Sequence, residues 1–263
     1  MPNTEFWLDP PWTGGTGKHR LGLRPIAQGD WLRWPPGADL LDHKRQILTH
    51  CYDDAVFAAA GTGDAGKLLL DLPVDAEFSS VYPHTIANVA SQMVEDLCLL
   101  DIEDQHRLVA ACVCSPSYWR LTEKAELSLR DVHGPVPGLE QKLGGRIAGF
   151  IDRVPLSRPF ERRNWFLHGD AHRFQLDHET GLPEAVADWI VRVERQTLCK
   201  LSPKYLLFTI DVLREPLVDV THFPQAFEDL ENSLRGLDAD EIEHFGGLDK
   251  FGRLLEYLQS VPD

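Results

Sequence analysis

The chain has 263 residues, 43% of them hydrophobic, and 26 Lys and Arg against 41 Asp and Glu give it a formal net charge of -15. That length suits one sizeable core, and the acidic balance argues against nucleic acid or an anionic membrane as partner, since both select basic patches. The five cysteines, Cys51, Cys98, Cys112, Cys114 and Cys199, are odd in number and form no C-x-x-C pair. Neither a disulfide framework nor structural zinc is indicated, and buried inert thiols are expected.

The first six residues lack a positive start followed by an apolar run, and no stretch supplies the ~18 apolar residues that span a bilayer, so a cytoplasmic location is expected. Residues 1–40 carry Pro10-Pro11, Gly14-Gly15 and Pro35-Pro36 among Trp7, Trp12, Trp31 and Trp34, which predicts an extended wrap anchored by its indoles. Near-helical spacing of Leu41, Ile47, Leu48, Cys51, Ala55 and Val56 predicts a helix over 40–60, ending near Gly61 and Gly63. A second helix is predicted over 86–100, with Val89, Met93, Leu97 and Leu100 on one face and Glu95 and Asp96 on a solvated one.

The run Arg107 to Cys114 reads as a buried strand closed by Ser115-Pro116. Charged helical sequence follows from Glu123 to Leu129, and the two prolines of Val132-His-Gly-Pro-Val-Pro137 preclude a regular helix through them. Residues 141–153 resume helical spacing. Three aromatic or β-branched runs, 164–167, 188–193 and 205–211, then read as strands whose short connections favour antiparallel pairing. Two more helices are predicted from Pro224 to Leu258. The expectation is an α+β fold in one domain over 1–263, with a helical carboxyl segment over 224–263.

Two motif sets compete. Leu167-His-Gly-Asp170 followed by Asp188 resembles the catalytic loop and metal-binding Asp of aminoglycoside- and choline-kinase-like phosphotransferases. In that family an Asn five residues after the catalytic Asp holds magnesium, whereas Gln175 stands there here. A longer resemblance runs from about Val94 to Leu217. Its pieces are Val94-Glu-Asp-Leu-Cys-Leu-Leu100, Cys114-Ser-Pro-Ser-Tyr-Trp119, Val132-His-Gly-Pro-Val-Pro137, Arg163-Asn-Trp165 with His168, and Val193-Glu-Arg-Gln-Thr-Leu198 leading to Leu207-Phe-Thr-Ile210. In that order they resemble the haem-dependent oxidative N-demethylase family.

The resemblance implies a PAS-like antiparallel sheet with flanking helices enclosing haem b, with electrons from a separate reductase or other external donor. It implies a monooxygenase acting with O2 on an amine or amino-acid substrate, by N-demethylation or N-oxygenation. His133 is the first candidate for the iron's axial ligand, since neutral imidazole leaves the opposite face free for O2. His168 competes for that place or steers bound oxygen. Arg163 and Arg195 are candidates for the haem propionates because a guanidinium matches a carboxylate bidentately. Glu194, opposite in face to Arg195 if the segment is a strand, is placed to orient the axial His, and Trp165 to pack against the macrocycle. A gas-sensing module on the same fold is the competing binding-module reading.

Overall fold

The computed structural model describes residues 3–15, 21–133, 145–178 and 181–261. Short helix α1 (Thr4–Leu8) and the two-residue strand β1 (Arg24–Pro25) open the chain. Trp7, Trp12 and Trp31 are buried as expected of an anchored wrap, whereas Trp34 is 38% exposed. Helix α2 (Ala38–His50) starts just after Pro35-Pro36, and α3 (Tyr52–Ala55) follows it. The predicted helix over 40–60 therefore stops early, because Val56–Ala58 form strand β2 along one edge of the sheet.

Helices α4 (Gly63–Leu70) and α5 (Thr85–Ala90) precede β3 (Asp96–Asp101) and β4 (Arg107–Cys112). Here the sequence reading is corrected: the helix over 86–100 ends at Ala90, and its second half is a strand. Every residue of β3 is buried. A strand covered on both faces reads as a continuous apolar run, and such a run matches helical spacing as readily as strand spacing. Glu95 and Asp96 are accordingly almost fully buried, not solvated.

Between β4 and the next strand lie α6 (Leu121–Lys124), α7 (Leu129–His133) and α8 (Gly145–Arg153). The prolines at 135 and 137 lie outside the described residues. Strands β5 (Phe160–His168), β6 (Ile190–Lys200) and β7 (Tyr205–Pro216) are longer than the runs predicting them. The carboxyl segment holds three α-helices rather than two: α9 (Pro224–Arg235), α10 (Ala239–Phe245) and α11 (Gly247–Ser260). Pro224 begins α9, where a missing N–H costs nothing, and an Asp238–Glu241 capping box starts α10.

The sheet has order β1-β5-β6-β7-β3-β4-β2, and every pairing is antiparallel. The α+β expectation holds. Strand alternation gives the sheet two faces. On the first, Leu97, Leu99, Cys112 and Leu207 pack under α2, α4 and α5, and further along Trp165, Leu167, Val191 and Val193 pack with Trp7, Trp12 and α9 to α11. On the second, Cys98, Leu100, Leu198 and Leu206 pack with Leu121, Leu129 and Ile151 from α6, α7 and α8. No helix among the described residues is long and apolar enough to cross a membrane.

Candidate functional site

The first face carries a polar band between its two apolar clusters. Register aligns Arg163 with Arg195 and Arg195 with Asp211, while Glu161 lies across from Thr197. Arg195 is buried and commits its guanidinium within the protein: Nε donates to Glu161 Oε2 at 2.5 Å, and Nη1 and Nη2 donate to the carbonyls of Trp31 and Asp30. Glu161 also accepts from Arg24 at 3.0 Å. Arg163 donates to the Asp9 carbonyl and pairs with its carboxylate at 3.2 Å. Residues 24–40 cross this band and leave a cavity of about 940 Å³, lined by Arg163, Arg195, Glu161 and Asp211 from the sheet.

Beside that cavity is a buried ionic cluster. Lys44 of α2 is fully enclosed, donates to the carbonyls of Ala90 and Glu95, and sits 3.3 Å from Asp96 Oδ1. Burial works against the Lys44 charge, but Asp96 and its neighbours outweigh it and raise its pKa. Burial pushes the Glu95 carboxyl up to about 7, although the Arg33 amide donates to it at 2.7 Å. A solvated-face reading would have missed this cluster; in the sequence its trace is two acidic residues directly before a long apolar run.

The second face carries the other candidates. Alternation places Phe166, Arg192 and Arg214 in one cross-strand row, Asn164, Glu194 and Val212 in the next, and Arg162, Gln196 and Ile210 in a third. Glu194 thus points away from Arg195, as alternation predicts; it lies 3.7 Å from Arg192 Nε and accepts from Gln196 at 2.9 Å. Arg192, 1% exposed, donates to the carbonyls of Arg173 and Ser115. Burial, then the charges of Arg173 and Arg192, lower the Arg214 pKa to about 10. Its buried Nε has no hydrogen-bond partner among the described residues.

His168, at the end of β5, is 1% exposed. Its Nε2 lies 2.8 Å from Ser117 Oγ, and its ring stacks 4.4 Å from that of Tyr118. Burial first, then the charges of Arg192 and Lys250, lower its pKa to about 3, so the imidazole is neutral. His133 ends α7, in the helical layer over this second face. Trp165 is on the first face, its ring 4.9 Å from Trp12 and 5.5 Å from Phe245, enclosed by core. The six sequence candidates therefore divide: Arg163, Arg195 and Trp165 on one face, His168 and Glu194 on the other, and His133 on a helix covering the latter.

The phosphotransferase motif does not assemble a metal site. Asp170 accepts from the His172 amide and from Gln175, both at 2.7 Å, and no cluster of His, Cys, Asp or Glu suited to a metal ion occurs among the described residues. A family model described as haem-dependent oxidative N-demethylase, alpha subunit-like, matches residues 70–255. The chain belongs to this family. Membership implies a haem-dependent oxidative enzyme with O2 and a substrate to oxidise. No curated protein matches the chain.

Proposed function

We propose that the chain is a haem-dependent monooxygenase that oxidises an aliphatic amine, with the haem over the face of the sheet covered by α6, α7 and α8. The family match over residues 70–255 carries this reading. A PAS-like arrangement is supported by the all-antiparallel sheet and by the helices between β4 and β5 packing on one of its faces. When bound, the haem supplies activation of O2, with electrons from outside the chain.

The donor chemistry of this face fits such a group. Haem iron needs an axial donor, for which a neutral imidazole serves, and His133 at the end of α7 is assigned to that place. His168 is neutral, but its Nε2 is engaged by Ser117 and its ring is stacked on Tyr118, so it is assigned to hold the pocket wall in place. Propionates are assigned to Arg214, whose buried Nε needs an acceptor, rather than to Arg195, which already donates to Glu161 and to two backbone carbonyls. Glu194 and Asn164 share a row on this face and are assigned to the substrate amine: a buried carboxylate favours a cationic nitrogen, and a side-chain amide fixes its orientation. Insertion of oxygen at an N-methyl carbon would release formaldehyde, and insertion at nitrogen would give a hydroxylamine.

Absorption spectra of protein expressed with a haem precursor test the assignment. The unsubstituted chain is expected to show a Soret band that is lost or shifted in His133→Ala and retained in His168→Ala. O2 consumption by the haem-loaded chain with added reductant, dependent on an amine, is the accompanying activity. The absence of a Soret band from protein incubated with hemin and then freed of unbound hemin would overturn the reading.

A further inference from the structure

The cavity lies mainly over the first face, reaching Val212 and Arg173 where β7 runs on beyond its pairing with β3, and the haem assignment on the second face leaves it without a role. Five arginines line it: Arg24, Arg33, Arg163, Arg173 and Arg195. In a chain of net charge -15 this is a local concentration of cations. Two buried carboxylates, Glu161 and Asp211, answer them from the sheet, and Asp30 and Asp39 stand at the exposed rim. Glu161 is already shared by Arg24 and Arg195. Asp211 lies 3.3 Å from Arg33 Nε, and its Oδ2 makes no hydrogen bond among the described residues. Arg173 donates one N–H to the Val212 carbonyl at 2.8 Å. Each guanidinium carries five donors, so Arg33 and Arg173 have more to offer than the described residues take up.

The rest of the lining is apolar. Trp34, 38% exposed, faces this cavity along with Leu40, Val94 and Leu213. Two arginines that both act on Asp211, in a lining that also holds an exposed indole, suit a ligand with an oxyanion head and an apolar or aromatic body, since planar donors grip oxygens and an indole covers an apolar body. We propose that this cavity is a second ligand site, separate from the haem, for a small organic anion whose carboxylate or phosphate lies between Arg33 and Arg173 and whose body rests on Trp34.

Calorimetric titration of the full chain with phenylacetate, phenyl phosphate and, as neutral control, 2-phenylethanol tests this, with haem-loaded protein and again without added haem. Saturable binding of at least one anion and none of the alcohol is expected, and the preferred anion tells a carboxylate ligand from a phosphate one. Arg33→Gln and Arg173→Gln should each weaken it about tenfold or more, the loss of a charged hydrogen bond. Trp34→Ala, which removes no charge and lies at an exposed position, should weaken it as well while far-UV circular dichroism stays unchanged. The proposal is overturned if neither anion binds better than the alcohol, or if both arginine variants bind normally. It is equally overturned if the anions displace haem, because the cavity would then be holding the propionates. Binding in the absence of haem separates this proposal from the haem reading, which fails or stands on the Soret band.

Discussion

His168 shows how far a single side chain can be set by its surroundings. Its imidazole is nearly inaccessible, near the cations Arg192 and Lys250, and titrates at about 3, whereas an unfolded-chain histidine titrates near 6.5. Between those values the unfolded state binds the extra proton, so stability rises with pH and is lost as pH falls below about 6.5. His168→Gln, which keeps a partner for Ser117, is expected to flatten the dependence of stability on pH between 6 and 4, by up to about 1.4 kcal/mol per pH unit. Urea unfolding of both proteins across that range measures it, and parallel curves would show that His168 titrates normally. A sequence motif alone singles out His168, and strand alternation alone turns Glu194 and Arg195 to opposite faces. The neutrality of His168 was not legible, because burial and the approach of Lys250, 82 positions further along, are decided by packing.

At the level of the element, Lys44 joins α2 to the turn that leads into β3. It holds the carbonyls of Ala90 and Glu95 and the carboxylate of Asp96, and Asp96 in turn accepts from the Ser115 amide at 2.7 Å. Lys44→Met keeps the side chain's volume but leaves a buried carboxylate without its cation, which is expected to cost about 3–5 kcal/mol. Chemical denaturation followed by tryptophan fluorescence would report it, and a change within experimental error would mean that Asp96 finds another partner. The same region explains the mistaken helix over 86–100. Leu97 and Leu99 face α5 while Cys98 and Leu100 face the α6 to α8 layer, so the run is apolar at every position and its period carries no information. By contrast, β6 alternates Arg192, Glu194 and Gln196 with Val191, Val193 and Arg195, and its strand character was evident from the order of residues.

Across the molecule, the amino-terminal wrap and the carboxyl-terminal helices close the same part of the sheet. Trp12 Nε1 donates to the Ala226 carbonyl at 2.8 Å, the Gly14 amide donates to Asp229 at 2.8 Å, and Trp12 stacks edgewise on Trp165 of β5. We propose that these segments and the sheet unfold as one cooperative unit. Trp12→Phe, which leaves the Ala226 carbonyl without its donor, is then expected to keep a single transition at a lower midpoint, with a loss of stability of about 1–3 kcal/mol. Two separate transitions in near-UV circular dichroism and fluorescence would show that the ends are docked onto an independently stable sheet. Short-range patterns were enough to determine the α+β class and the antiparallel pairing of the later strands, and the order of such patterns along the chain was enough for the family, because each piece rests on residues close together in the chain. Only the tertiary structure decided that Arg163 and Arg195 look into one cavity while His168 and Glu194 lie beneath the opposite face, and that Glu95 and Asp96 are buried beside Lys44. Which groups share a face, and which charges lose their water, depends on contacts between segments far apart in sequence, and no local pattern records them.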